Sequence, residues 1–223
     1  AKFKFEEGHI EVRAVDAMHV AMVRMEIDSS AFEAWECEPC TIGFELVKLR
    51  DLIGLAEQGD LIEMNYDEND GRVNIQVGEI NRTIRPLDRA TMLEPRVPDV
   101  DLQSSVKLSA IKFSRALRAA KQVGDLATIS LNAQSFGVNV SGDTDTVNVS
   151  YDAGELQDLV CDGPVKSQYS LSLLYPMAKR MEAIVDSVAL YFNENHPLRL
   201  EFEFADGAGR CVYFLAPRIE GDA

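Results

Sequence analysis

The chain has 223 residues, 46% of them apolar, and its 37 Asp and Glu against 22 Lys and Arg leave a net charge of −15. That length holds one large domain or two of about 100 residues, with apolar material enough for buried cores. No run of about 18 apolar residues and no basic-then-apolar leader is present, which excludes a membrane-spanning helix or a visible secretion signal and makes the cytoplasm, or the nucleus of a eukaryotic cell, the expected location.

Taken in order, Ala1 to Phe5 and Ile10, Val12 and Ala14 alternate as half-buried strands do, and Asp16 to His19 reads as a turn leading into another strand that reaches Val23. The spacing Asp16-Ala17-Met18-His19 could set a carboxylate beside an imidazole, but no nucleophile or metal partner accompanies it. Cys37-Glu38-Pro39-Cys40 has redox or zinc spacing without a second pair or a completing histidine, so it reads as two thiols in a loop. The other cysteines, Cys161 and Cys211, make no disulfide framework with them, and a reducing compartment follows. No cofactor or metal site is expected.

An amphipathic helix is predicted over Phe44 to Glu57, burying Leu49, Leu52, Ile53 and Ala56 and exposing Lys48 and Arg50 beside Asp51. Ile62, Met64 and Tyr66, then Val73 to Val77, form a hairpin around Asp67 to Gly71. Met92 to Val100 holds two prolines and reads as an extended linker. A second helix, Leu108 to Gln122, places Phe113, Ala116, Leu117 and Ala120 on one stripe and Lys112, Arg115 and Arg118 on the other. From Leu102 to Gly124 there is no acidic residue, while Lys107, Lys112, Arg115, Arg118 and Lys121 all fall within the gap. An acidic total argues against nucleic acid, but an unmixed basic helix face inside such a chain points to a polyanion. A third helix, Leu173 to Val185, buries Leu174, Met177, Met181 and Val185 and exposes Lys179 and Arg180.

The chain repeats itself. An offset of 126 residues carries Ala1 to Phe5 onto Ala127 to Leu131, Ile10, Val12 and Ala14 onto Phe136, Val138 and Val140, and Asp16 to Val23 onto Gly142 to Val149. With slips of one residue, the first hairpin falls on Val188, Leu190 and Phe192 followed by Leu198 to Phe202, around Asn193 to Pro197. The fold class is α+β, built from antiparallel sheet with few helices. The helix Leu108 to Gln122 has no counterpart in the first copy, so the repeat predicts about 20 further residues, a strand and a helix, ahead of Ala1.

Three segments carry a likeness. Arg13-Ala14-Val15-Asp16-Ala17-Met18-His19-Val20-Ala21-Met22-Val23, the linker ending Val97-Pro98, and the tail Leu215-Ala216-Pro217-Arg218-Ile219-Glu220 resemble DNA sliding clamps of the proliferating cell nuclear antigen family, the archaeal ones above all. The resemblance spans the whole chain and implies two similar domains, 1–90 and 102–223, joined by a linker at 91–101. Each domain is an antiparallel sheet with helices on one face, and three copies form a ring around duplex DNA that raises polymerase processivity and has no catalysis of its own. It also implies tethering of polymerase, clamp loader, ligase and nuclease through short docking motifs.

By the same resemblance, Lys48, Arg50, Lys112, Arg115, Arg118, Lys121, Lys179 and Arg180 face DNA, with Asp51 standing where relatives carry a basic residue. The docking groove is lined by Val15, His19, Val20, Met22, Met92, Leu93, Val97, Pro197, Phe214, Ala216 and Pro217. Subunits meet through edge strands at Arg82 to Leu87 and Thr146 to Tyr151. Two other readings remain open, a subunit of a heterotrimeric clamp and a small acidic enzyme using Asp16, His19 or the Cys37 to Cys40 pair.

Overall fold

The computed structural model describes residues 1–88, 90, 92 and 94–219. The chain divides into two compact units, one of Ala1–Ala14 with Asp28–Pro95 and one of Val15–Ile27 with Arg96–Ala223.

In the first unit, β1 (Lys2–Phe5) pairs antiparallel with both β2 (His9–Val15) and β4 (Cys40–Gly43). Helix α1 (Leu46–Ile53) follows, then a meander of β5 (Ile62–Asp67), β6 (Arg72–Val77) and β7 (Ile80–Ile84) in that order. Leu49 and Leu52 of α1 are buried with Val73, Ile75 and Val77 of β6 and with Ile42 and Phe44. The helix is shorter than its apolar spacing predicts because the chain turns out of it at Gly54, whose N–H closes the last turn on Arg50. Ile53 and the outward residues Leu46 and Val47 are exposed, contrary to the expected burial of Ile53. Strand β5 is exposed along its length, so Ile62, Met64 and Tyr66 do not reach the half-buried state their alternation predicts: β5 pairs only with β6, and the core of this unit is drawn from β6.

The second unit holds β3 (Ala21–Asp28), β8 (Ser104–Ser109), α2 (Ala110–Lys121), β9 (Leu126–Asn132), β10 (Ser135–Ser141), β11 (Thr146–Asp152), β12 (Asp158–Val160), β13 (Val165–Ser170), α3 (Leu171–Met181), β14 (Ser187–Phe192), β15 (Leu198–Phe204) and β16 (Gly209–Leu215). Strands run β12-β8-β14-β15-β16-β3 in one layer and β11-β10-β9-β13 in another. Helices α2 and α3 pack on each other. Their undersides, Phe113, Ala116, Leu117 and Ala120 from α2 and Leu171, Leu174, Ala178 and Met181 from α3, join inward residues of both layers in one core. The alternation along β9, with Ala127, Ile129 and Leu131 sealed, is the period-two pattern of a strand with one face in that core.

The repeat is legible in the hydrogen-bond register. Phe3 stands opposite Val12, and 126 residues on, Ile129 stands opposite Val138; Lys2 opposite Arg13 becomes Thr128 opposite Asn139. In the hairpins the register slips by one residue, Met64 facing Ile75 and Leu190 facing Leu200.

All three helix starts differ from the sequence reading, α1 opening at Leu46 and not at Phe44. Leu108 belongs to β8, which runs into α2 with no connecting loop: Ser109 is the last strand residue and also the N-cap, its hydroxyl accepting from the Lys112 N–H at 3.5 Å. Likewise β13 ends at Ser170 and α3 begins at Leu171, carrying Pro176 inside; the chain leaves α3 at Glu182, so Val185 is not helical. Strands β7 and β11 are edge strands, and only residues 82–84 of the predicted Arg82 to Leu87 edge lie in β7, since Pro86 has no N–H to give a ladder. Phe113 is fully buried, with the Phe136 ring 6.3 Å away. Phe113→Ala is expected to cost about 3–5 kcal/mol through the cavity it leaves, read as a lowered denaturant midpoint; an unshifted midpoint would remove this contact as a determinant of the second unit.

Candidate nucleic-acid and partner-docking surfaces

Because α2 must bury its apolar stripe, its basic side chains are left on the solvent side. Lys112, Arg115 and Arg118 are exposed, Lys121 is half-buried, and no acidic side chain lies on the helix. Two of these cations have partners from elsewhere. Lys112 is 3.2 Å from Glu155 and lies over the Tyr151 ring, whose hydroxyl donates to the Lys112 carbonyl at 2.9 Å. Glu155 also accepts from the Asp152 N–H, and that bond, with Lys112, holds its carboxyl below the usual carboxylate range. Lys121 pairs with Asp125, one turn further on and just outside the acid-free stretch. Arg115 and Arg118 form no ion pair among the described residues, so the uncompensated charge of this face is concentrated on them.

On α3, Lys179 and Arg180 occupy the exposed last turn, where positive charge suits the helix dipole. On α1 both basic residues carry acidic neighbours, Lys48 with Glu45 at 2.6 Å and Arg50 with Asp51 at 2.7 Å. The first unit therefore offers no unpaired cation on its helix, whereas α2 does.

The second surface lies on the opposite face of the second unit's larger layer. Alternation along β16 sends Cys211, Tyr213 and Leu215 to the helix-covered core and Val212 and Phe214 to the other side; along β3, Ala21 goes inward and Met22 outward. Register places Met22 directly opposite Phe214. Met22, Val212 and Phe214 are buried in a small apolar cluster of their own, against which the partly buried Val15, Val97 and Val100 pack. Of the residues the sequence reading assigned to a groove, Val15, Met22, Val97 and Phe214 come together here, and Val212 and Val100, which it did not name, join them. Val212 lies two residues from Phe214 on the same strand face, and that period-two signal could have found it.

The turn ahead of β3 is organised by Asp16. Its carboxylate accepts from the N–H groups of Val20 and Ala21, each at 2.7 Å, and of Met18 at 3.1 Å, while its carbonyl accepts from the His19 N–H at 3.0 Å. These bonds, that from Ala21 foremost, hold the carboxyl below the usual range. His19 adopts a positive φ of 55°, as a turn of this tightness demands, and Met18 projects into solvent at 78% exposure. The Asp16 oxygens are thus committed to backbone N–H groups, and the imidazole is not their acceptor-bound partner. Val20 fixes the tail, its carbonyl accepting from the Ala216 N–H at 2.8 Å. One register step beyond Leu198 opposite Leu215, half-buried Pro197 stands beside Ala216, with Pro217 next in the chain. Met92 lies in the first unit, its Sδ filling the space a Cβ at Gly43 would need, and Leu93 lies outside the described residues.

With both surfaces described, the chain can be compared with known proteins. A family model described as the N-terminal domain of proliferating cell nuclear antigen matches residues 1–93, and one described as its C-terminal domain matches residues 96–218. The chain belongs to the proliferating cell nuclear antigen family. Curated relatives named DNA polymerase sliding clamp include that of Methanosarcina mazei, 37% identical over 99% of this chain and 90% of the relative, and that of Natronomonas pharaonis, 34% identical over the same shares. Among solved structures, the A. fulgidus protein described as bound to the C-terminal region of FEN-1 matches with a TM-score of 0.91 and 26% identity, over all of this chain and 90% of that one. The α+β reading with two clamp domains agrees with this membership.

Asp16 supplies a test of the turn. Its charge-assisted bonds are intact above about pH 4 and are lost as pH falls through its depressed value. Asp16→Ala is expected to lower the amide-exchange protection of Val20 and Ala21 at neutral pH; unchanged protection would mean the turn holds without its carboxylate.

Proposed function

We propose that this protein is a DNA sliding clamp: three identical copies close into a ring around duplex DNA, and the ring tethers DNA polymerase and other replication and repair enzymes. It works without catalysis, cofactor or metal, in the cytoplasm. Arg115 and Arg118, unpaired on an exposed helix face of a chain with net charge −15, are the observation that carries the DNA-facing assignment. Phosphate contact needs exposed cations directed at a backbone that is the same at every step, and non-specific contact lets a ring slide. Lys112 and Lys121 join them at little cost, because exposed ion pairs of the kind they make with Glu155 and Asp125 contribute only about 0–1 kcal/mol and a phosphate can replace the carboxylate. Lys179 and Arg180 extend the face, and Lys48 and Arg50 serve it after releasing Glu45 and Asp51. The acidic remainder repels DNA from the other surfaces.

Met22, Val212 and Phe214 supply the docking groove, with Val15, Val97 and the flanking His19, Val20, Pro197, Ala216 and Pro217. An apolar cluster covered only by the partly buried Val15, Val97 and Val100 suits a short client motif with aliphatic and aromatic anchors. The relative bound to a FEN-1 C-terminal region makes nuclease tails the first clients to try, with ligase and clamp loader after them. Edge strands β7 and β11 close the ring by pairing between copies, which removes two exposed ladders.

Three measurements test this. Sedimentation should give three times the chain mass of 24.7 kDa for the protein alone, and a monomer would favour a heterotrimeric assembly. Arg115→Glu with Arg118→Glu should weaken retention on circular DNA and flatten its salt dependence while client binding is unchanged. Retention equal to the parent's would place the DNA-facing surface elsewhere. Met22→Ala or Phe214→Ala should weaken a client peptide by about 1–3 kcal/mol in calorimetry, with trimer mass unaltered; equal affinity in both variants would move the groove.

A further inference from the structure

Neither surface makes use of Cys37 and Cys40. The irregular segment 32–39 follows a short 3-10 turn at Ser29–Ala31, and Cys40 opens β4, where it pairs with Phe5. In sequence the two cysteines are merely near each other; in the fold their side chains meet. The Cys37 thiol has the Cys40 thiol as a hydrogen-bond partner and donates to the Glu38 carbonyl at 3.2 Å. Both are half-buried, neither sealed in a core nor fully open.

The segment is held from both ends. Trp35, the only tryptophan of the chain, donates its ring N–H to the Glu7 carbonyl at 2.8 Å and stacks on Phe5 at 6.4 Å and against Phe32 at 5.1 Å. Downstream, β4 is fixed in register against β1. The three-peptide span between the thiols is therefore pinned at Trp35 on one side and at Cys40 on the other, which keeps the sulfurs together without a covalent bond. A tetrahedral zinc site needs four ligands, and among the described residues no third His, Cys, Asp or Glu joins these two.

We propose that Cys37 and Cys40 form a dithiol site that closes to an intramolecular disulfide by exchange with a low-molecular-weight disulfide of the glutathione class. One protein thiol gives up its proton and its sulfur attacks the co-reactant, whose S–S bond breaks and releases one small thiol that takes up a proton. The second protein thiol, deprotonated in turn, attacks the mixed disulfide and expels the second small thiol. Two protein thiols lose two electrons and two protons, and one small disulfide gains them. Burial, with the charges of Glu6 and Glu38, raises the Cys37 thiol above its ordinary value, although the Cys40 hydrogen bond opposes this. The thiolate is scarce at neutral pH, so closure is slow there and quickens as pH rises. A thiol of raised pKa is also a poor leaving group, so the closed form persists. Cys211 takes no part, since burial pushes its thiol up to about 12.

The test uses the full reduced chain, equilibrated in mixtures of reduced and oxidised glutathione, quenched with acid, alkylated and weighed. The expected result is loss of two alkylatable thiols per chain with the mass of two hydrogens, a cross-linked peptide that spans residues 37–40, and a change in Trp35 emission that follows the same curve and reverses with dithiothreitol. Cys37→Ser and Cys40→Ser should each stop at a stable glutathione adduct on the remaining cysteine. Four alkylatable thiols in every mixture would overturn the proposal. So would a parent chain that stops at the adduct, or a cross-link between chains through these residues.

Discussion

The fully buried underside of α2 is the constraint on which the second unit turns. Phe113, Ala116, Leu117 and Ala120 leave no apolar surface of the helix unsatisfied on that side, and they meet residues of both strand layers and of α3. Burial of this kind is non-directional and scales with area, so it decides which side of the helix faces in but says nothing about the other side. On that other side every charged residue is a cation, beside exposed Ile111 and half-buried Ala119. The core thereby acts as an orienting device: by consuming one face completely, it presents Arg115 and Arg118 without acidic neighbours on the same helix.

Much of this was legible from residues alone, for physical reasons that differ by element. The register of β1 against β2 and of β9 against β10 follows from alternation, because a one-residue slip would reverse every side chain. The buried stripe of α2 follows from the helical period. Helix ends were less legible. Leu108 satisfies a strand period and a helix period equally, and only the capping role of Ser109 decides between them. Gly54 ends α1, a stop that the apolar spacing continuing to Ala56 does not register. Pairing across distance was not legible at all: Glu155 reaches Lys112 over 43 residues of chain.

The docking cluster shows the same division. Met22 and Phe214 lie far apart in sequence and were joined only through resemblance, whereas their opposition in the structure has a plain cause, the antiparallel pairing of β3 and β16. Val212 needed only the strand period. Asp16 is instructive in the other direction, since its spacing to His19 looks like chemistry and its environment is that of a turn, with three backbone donors consuming the carboxylate. Hydrogen-bond accounting separated the two where residue type could not.

The absence of any loop between β8 and α2, and between β13 and α3, makes each strand a clock setting for the helix it feeds. A single residue added at either junction would advance the helix by about 100° about its own axis, a quarter turn and more, while the sheet stayed in place. For α2 that rotation would swing Phe113 out toward water and bring charge to the core. The sheet would have to slip in compensation, at the cost of reversing its own faces. Charge placement and strand register are in this way geared together, and variation in length can accumulate in the turns at Glu68–Asp70 or Asn193–Pro197 but not at Ser109 or Ser170.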